Sequence, residues 1–258
     1  MSTLGICKLC ELEKELQLSH AIGDAVFKRI FKANSGKAIA ITSGDNSIHY
    51  SSDSWAEYQL CSECELLLNN EYERYSLNTL RDHTNCIKKA SCLTFTNVNQ
   101  YKIMLYFLSI YYRAALSNHR AYQNVGIYGE HKNLIQQAIL NNGHIEYNQL
   151  PVKISRLKDD TQNGFTNMGL KGMIPSPFCT GFQDTNTPLK ACFVIEGFYI
   201  EIYLHGFKFK NRNDHGVLNP AKENLYIPFL DFFNVPELVH MVATGSGKYK
   251  SGNFTIKE

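Results

Sequence analysis

The 258-residue sequence carries almost no net charge: 26 Lys and Arg stand against 24 Asp and Glu, leaving +2 at pH 7. A chain so near neutrality has no overall field to draw it to a polyanion, so any contact with nucleic acid has to come from a local patch. The sequence also lacks a basic segment followed by an apolar stretch at its start. No run approaches the roughly 18 apolar residues that a membrane-spanning helix needs. The expectation is a soluble, non-secreted, cytoplasmic protein. Missing too are a G-x-S-x-G elbow, an H-E-x-x-H helix and a G-x-G-x-x-G turn, so neither serine-hydrolase nor dinucleotide chemistry has a motif to rest on. The tail segment TGSGKYK comes nearest to a phosphate-binding loop, but Val242 and Tyr249 occupy positions where that loop needs Gly and Ser or Thr. It reads as a flexible basic terminus. No internal repeat, heptad array or low-complexity tract is present.

What the sequence does contain is core-forming material and thiols. Hydrophobic residues make up 44% of the chain, enough to fill a sizeable core, and there are 8 cysteines. Without a secretory leader, cysteines point to metal ligands and reduced thiols and away from a disulfide framework. Cys7 and Cys10 form one C-x-x-C pair, Cys61 and Cys64 another, whereas Cys86, Cys92, Cys179 and Cys192 have no such spacing. Each pair can present two thiolates from one knuckle, and a long intervening chain adds little to the closure cost. The expectation is a tetrahedral four-cysteine structural zinc site. Cys64 would lie in the first turn of a following helix, where the helix dipole favours a thiolate.

The hydrophobic pattern divides the chain near residue 92. Before it, Asp24 to Phe31 has helical periodicity with a stop at Asn34-Ser35-Gly36, and a strand, a Gly44-Asp45-Asn46 turn and a second strand lead to Cys61. A helix follows Cys64. After residue 92, the stretch from Gln100 to Arg113 is apolar or aromatic on nearly every side, which marks a buried helix. The arginine ending that run is expected to pair with a carboxylate or to face the cysteine module, since a buried charge needs a partner. A helix ending at Asn142-Gly143, strands at 149–157, 189–197 and 198–209, a hairpin turning at Glu196-Gly197 and a late short helix complete the pattern. The alternating aromatics of FYIEIYLHGFKF, followed by Lys208, Lys210 and Arg212, allow a base-stacking face, but sheet core with a charged edge explains them more simply. His205, His215 and His240 match no ligand spacing.

One order of motifs is more specific. C-x-x-C, then Leu16-x-x-Ser19-His20-x-Ile22, then Leu60-Cys61-x-x-Cys64-Glu65 resembles the zinc-bearing branch of the HNH (treble-clef, ββα-metal) nucleases, over about residues 6–75. Arg113 and its aromatic neighbours give a weaker echo of a Trp-Arg helix in those proteins. The resemblance implies a treble-clef zinc module within residues 1–92; together with the helices and strands read from the pattern, the expectation is an α+β chain with a larger helix-and-sheet region over 93–258. It implies a nuclease that hydrolyses nucleic-acid phosphodiesters, DNA foremost, in phage defence or a mobile element. Cys7, Cys10, Cys61 and Cys64 would hold Zn2+, His20 would be the general base, and Glu65 would stand where the family places a ligand to catalytic Mg2+ or Mn2+. Three positions depart from the family pattern. Ala56 replaces an Asn that orients the histidine, so that group is absent or supplied by another residue. Ala21-Ile22-Gly23-Asp24 replaces the usual turn, and Leu66, Leu67 and Leu68 stand where a basic cluster would be. Asp24 and Glu71 are substitute ligands, with solvated helix faces as the plainer account of both. The alternative function is a catalytically silent zinc-stapled module that binds a partner protein or nucleic acid.

Overall fold

The computed structural model describes residues 3–33, 36, 38–40, 48–146, 148–162, 164–181, 188–206, 211, 213–252 and 254–255. The expected Gly44-Asp45-Asn46 turn, the Asn34-Ser35 helix stop and the Lys208, Lys210 and Arg212 edge lie outside those residues. Strands β1 (Thr3–Ile6) and β2 (Glu13–His20) form an antiparallel hairpin whose turn is the first cysteine knuckle. The chain then enters α1 (Asp24–Ala33), with buried Val26, Phe27 and Ile30 on one face and Lys28 paired to Asp24 on the other. Strands β3 (Ala38–Ala40) and β4 (Ile48–Ser51) pair with each other. β5 (Ala56–Cys61) adds to β2 and runs into α2 (Ser62–Leu68), so the second knuckle is a strand-to-helix junction. A wide π-type turn at Asn69–Glu73 joins α2 to α3 (Arg74–Arg81).

Strands β6 (Cys86–Lys88) and β7 (Cys92–Phe95) form a hairpin at the edge of the large sheet. The division placed near residue 92 falls inside this hairpin. Next comes α4 (Gln100–Ala115), capped by the Asn99 side chain and buried along almost its whole length, as its uninterrupted apolar run requires. α5 (Gly129–Leu140) packs beside it. The remaining elements are β8 (Val152–Lys158), α6 (Asn167–Gly172), β9 (Phe178–Thr180), β10 (Lys190–Ile195), β11 (Phe198–Tyr203), β12 (Leu225–Asp231), α7 (Pro236–Lys250) and β13 (Phe254–Thr255).

The large sheet runs β6-β7-β12-β8-β11-β10-β9, antiparallel except where β12 lies parallel to β8. Its central strands are covered on both faces. Ala191, Phe193, Ile195, Ile200 and Ile202 join the main core with α4, while Cys192, Val194 and Tyr199 join a smaller cluster with Leu170 and Leu238. The alternation follows from successive strand side chains pointing to opposite faces. The main core also contains Cys7, Leu9, Phe27, Cys61 and Cys64, so the cysteine module and the large sheet share one apolar interior.

The α+β class and the N-terminal cysteine cluster agree with the sequence. The Glu196-Gly197 hairpin is present with both residues at positive φ, 50° and 76°, the geometry a two-residue turn demands. The aromatics of β11 are sheet core, since every residue from Phe198 to Tyr203 is buried. The tail differs from expectation: residues 244–250 continue α7 instead of trailing as a loose end. Gly245 and Gly247 each cost a helix only about 1 kcal/mol, which the docking of Leu238 and its neighbours offsets. Among the described residues no helix is long and apolar enough to cross a membrane.

Candidate metal centre and histidine site

The first knuckle is made by a tight reversal after β1. Cys7 N–H donates to Leu12 O and Glu11 N–H to Cys7 O, and Glu11 takes φ 59° to close the turn. The Cys61 N–H, at the end of β5, donates to Cys7 Sγ at 3.3 Å. The four sulfurs of Cys7, Cys10, Cys61 and Cys64 all lie within 4.8 Å of one another, and Cys10 Sγ is 3.9 Å from Cys61 Sγ. A disulfide would need about 2.05 Å. Four thiolates around zinc at about 2.3 Å would sit roughly 3.8 Å apart, so the spacing matches a tetrahedral cage.

Electrostatics gives the same answer. Neighbouring Cys64 holds the Cys7 thiol down to about 4, and in return Cys7 and burial push Cys64 well up. Burial also raises Cys10. One thiolate is favoured because adjacent S–H groups donate to it, and each further thiolate is resisted by the first. Four thiolates can coexist here only around a cation. The cluster is fixed to the rest of the molecule through its knuckle carbonyls: Tyr112 Oη donates to Lys8 O at 2.5 Å, and Gln136 Nε2 to Leu9 O at 2.6 Å.

His20 ends β2, directly across from Ala56 in the β2–β5 register. Ala56 therefore occupies a place beside the histidine but offers no hydrogen-bonding group. Ser54, two residues earlier, does: its Oγ is 2.8 Å from His20 Nε2. The ring is half-buried near Phe27, which meets Trp55 edge-on, and Trp55 meets Tyr122 in the same way. Among the described residues the ring has one side-chain hydrogen-bond partner, Ser54, through Nε2. Burial lowers the imidazole pKa below its usual 6.5, with Asp24 and Glu65 opposing and Arg113 assisting. The ring is neutral at pH 7.

Two buried polar atoms near it lack partners: Glu65 Oε1 and Arg113 Nη2. Arg113 is 3% exposed on α4 and reaches the cysteine module, where Nη1 donates to His20 O at 2.6 Å. It forms no ion pair among the described residues, so of the two expectations for it the second holds. Glu71, one of the substitute ligands, points out to Lys102. The carboxylate that turns inward is Glu73. The π-type turn re-phases the helix, and Glu73 lies over Gly23 so closely that a Cβ there would meet Oε1 at 2.2 Å. Burial raises its pKa, and Arg113 lowers it against Glu65 and Asp24. Sequence reading missed it; the only available signal was Gly23 in the altered turn after His20.

The chain matches no family model, no curated protein and no solved structure. Its chemistry must be argued from these side chains. Among the described residues, only the four cysteines bring three or more ligand atoms together. The carboxylates beside His20 do not form a complete cage.

Proposed function

We propose that the chain is a zinc-stapled nuclease, with His20 as general base and Glu65 as a ligand to Mg2+ or Mn2+. The observation carrying this reading is the pair of complementary orphans beside a half-buried imidazole that burial holds neutral. Glu65 Oε1 is a buried acceptor lacking a cation, and Arg113 Nη2 a buried donor lacking an anion. Each unsatisfied buried group costs about 1–3 kcal/mol, more when charged, so both are expected to be met by a ligand. A phosphodiester bound with a divalent ion offers both partners at once. The resemblance in motif order to HNH nucleases supports the same reading, as does Ser54 in place of the missing orienting Asn.

When bound, the ion would polarise the scissile phosphate and steady the leaving oxygen. The chain's own residues do the rest. His20 Nδ1 removes a proton from water while Ser54 holds Nε2 and fixes the ring plane. Arg113 anchors the His20 backbone through Nη1 and keeps Nη2 as an uncommitted donor. Cys7, Cys10, Cys61 and Cys64 would hold Zn2+ as a structural staple, keeping β2 and α2, and with them His20 and Glu65, in fixed relation.

A second reading has its own observation. Leu4, Ile6, Leu18 and Tyr58 are 70, 57, 56 and 42% exposed on the β1-β2-β5 sheet, an apolar surface suited to a partner protein. The test is cleavage of single- and double-stranded DNA and RNA with Mg2+ or Mn2+. His20→Ala should lower the rate by about 10²–10⁴ without loss of zinc or fold. A wild-type protein inert on all four substrates would leave the silent binding module, and activity surviving His20→Ala would remove this site from the mechanism.

A further inference from the structure

On the far side of α1 from His20, a pocket of about 280 Å³ opens between α3, the β6–β7 hairpin, β8 and the β10–β11 turn. Its charge is one-sided: Arg29, Arg81, Lys88, Arg156 and Lys171 line it, and the only carboxylate is Glu196. The β10–β11 turn builds this arrangement. Glu196 sits in the left-handed region and holds its carboxylate, 9% exposed, between Arg81 Nη2 at 2.5 Å and Arg29 Nη1 at 3.0 Å. Its carbonyl accepts from Arg156 Nη1 at 2.7 Å. Gly197 is required for that approach, because a Cβ would come within 3.0 Å of the Arg156 guanidinium.

Arg156 is the informative residue. It is 6% exposed, stacks over Phe198 at 4.8 Å and makes no ion pair among the described residues. A buried guanidinium without a carboxylate is costly unless an anion arrives. Lys171, on α6, has no hydrogen-bond or ion-pair partner among the described residues, and burial followed by Arg156 and Arg29 pulls its pKa down. Five cationic side chains in the lining face the one carboxylate of Glu196, whose two oxygens are already held by Arg81 and Arg29. A second cavity of about 290 Å³ adjoins, sharing Arg29 and Lys171, and its walls include Ile30, Ala33 and the exposed Met168.

We propose that this pocket binds the terminal phosphate of a nucleotide, either free or at the end of a strand, with Arg156, Arg81 and Lys171 holding the phosphate. A terminal phosphate carries a charge of about −1.5 to −2, which suits a surplus of several cations better than a single carboxylate does. Guanidinium forks match its oxygens in pairs. The adjoining apolar cavity gives the attached base a place against Ile30 and Met168. The site is separate from His20 and Glu65 and stands whether or not they catalyse hydrolysis.

The test is calorimetric titration of the full chain, with Mg2+ omitted so that nothing is cleaved. The probes are AMP, adenosine, citrate, and one oligodeoxynucleotide with and without a 5′-phosphate. AMP should bind at least roughly tenfold tighter than adenosine or citrate, and Lys171→Ala should weaken it about 10- to 100-fold, the worth of a charge-assisted hydrogen bond. Lys171 is partly exposed and outside the apolar core; Arg156→Lys, which keeps the charge but gives up the fork and the bond to the Glu196 carbonyl, serves as the second variant and should weaken AMP while still unfolding in one cooperative transition. A 5′-phosphate preference in the oligonucleotide pair extends the site to strand ends, and its absence restricts the ligand to free nucleotide. Equal binding of AMP and adenosine, citrate as tight as AMP, or unchanged affinity in both variants would overturn the proposal.

Discussion

Replacing Arg113 by alanine tests the junction between the cysteine module and the large core. The wild-type guanidinium donates from Nη1 to His20 O at 2.6 Å and from Nε to Ser109 O at 3.3 Å. Losing a charged hydrogen bond costs about 1.5–3 kcal/mol, and leaving the His20 carbonyl dry adds about 1–3. Removing Nη2 works the other way, since that atom is buried without a partner and its absence relieves about 1–3. The balance is a net loss of roughly 1.5–3 kcal/mol, below the usual 3–5 for breaking a buried pair because no carboxylate is stranded. For a chain of this size each kcal/mol moves the melting temperature about 2–4 °C, so Arg113→Ala should melt roughly 3–12 °C lower. Two further readouts separate electrostatics from lost packing. Arg113 lowers the pKa of both His20 and Glu73, so in the variant the imidazole should titrate higher, closer to 6.5, by NMR. Arg113→Met keeps most of the side-chain volume and should reproduce that titration shift with a smaller loss of stability. An unchanged melting temperature and an unchanged His20 titration would refute the placement of Arg113 under His20.

Elemental analysis should find close to one zinc per chain, and Cys61→Ser should lose it; because Lys8 and Leu9 are tied to α4 and α5, the loss should spread beyond the hairpin, and full metal retention would sink the assignment. The His20 pKa is depressed by burial, so its contribution to stability is complete above 6.5 and is lost as pH falls through the lower folded value. The acid limb of any cleavage activity should therefore lie below pH 6.5, and a limb above that value would contradict a buried imidazole base. Glu73 has the opposite sign: burial raises its pKa above 4.5, so its contribution is present below 4.5 and lost as pH rises through the folded value. Glu73→Gln should thus stabilise the protein at pH 7 and change little near pH 4, and destabilisation at pH 7 would show that Arg113 outweighs burial there.

The cysteine spacing, the buried helix around Arg113 and the Glu196-Gly197 turn were all legible in the sequence. Each is governed by local geometry: two thiolates per knuckle, apolar residues on every helix face, and two adjacent residues able to take positive φ. Hydrophobic pattern and turn residues also gave the strands β8, β10 and β11, because alternation is a property of neighbours along the chain, whereas β2, β7 and β12 became strands only through the partners they pair with. The candidate sites were legible only in part. His20 and Glu65 could be named from motif order, but Ser54 as the group holding the imidazole depends on how β5 registers against β2. Glu73 could not be distinguished from Glu71, since the choice rests on a wide turn that rotates one inward and on the missing side chain of Gly23 some 50 residues earlier. The Arg156 pocket had no sequence signature at all. Its cations come from α1, α3, β6, β8 and α6, and only the packing of those elements around the β10–β11 turn gathers like charges that sequence distance had kept apart.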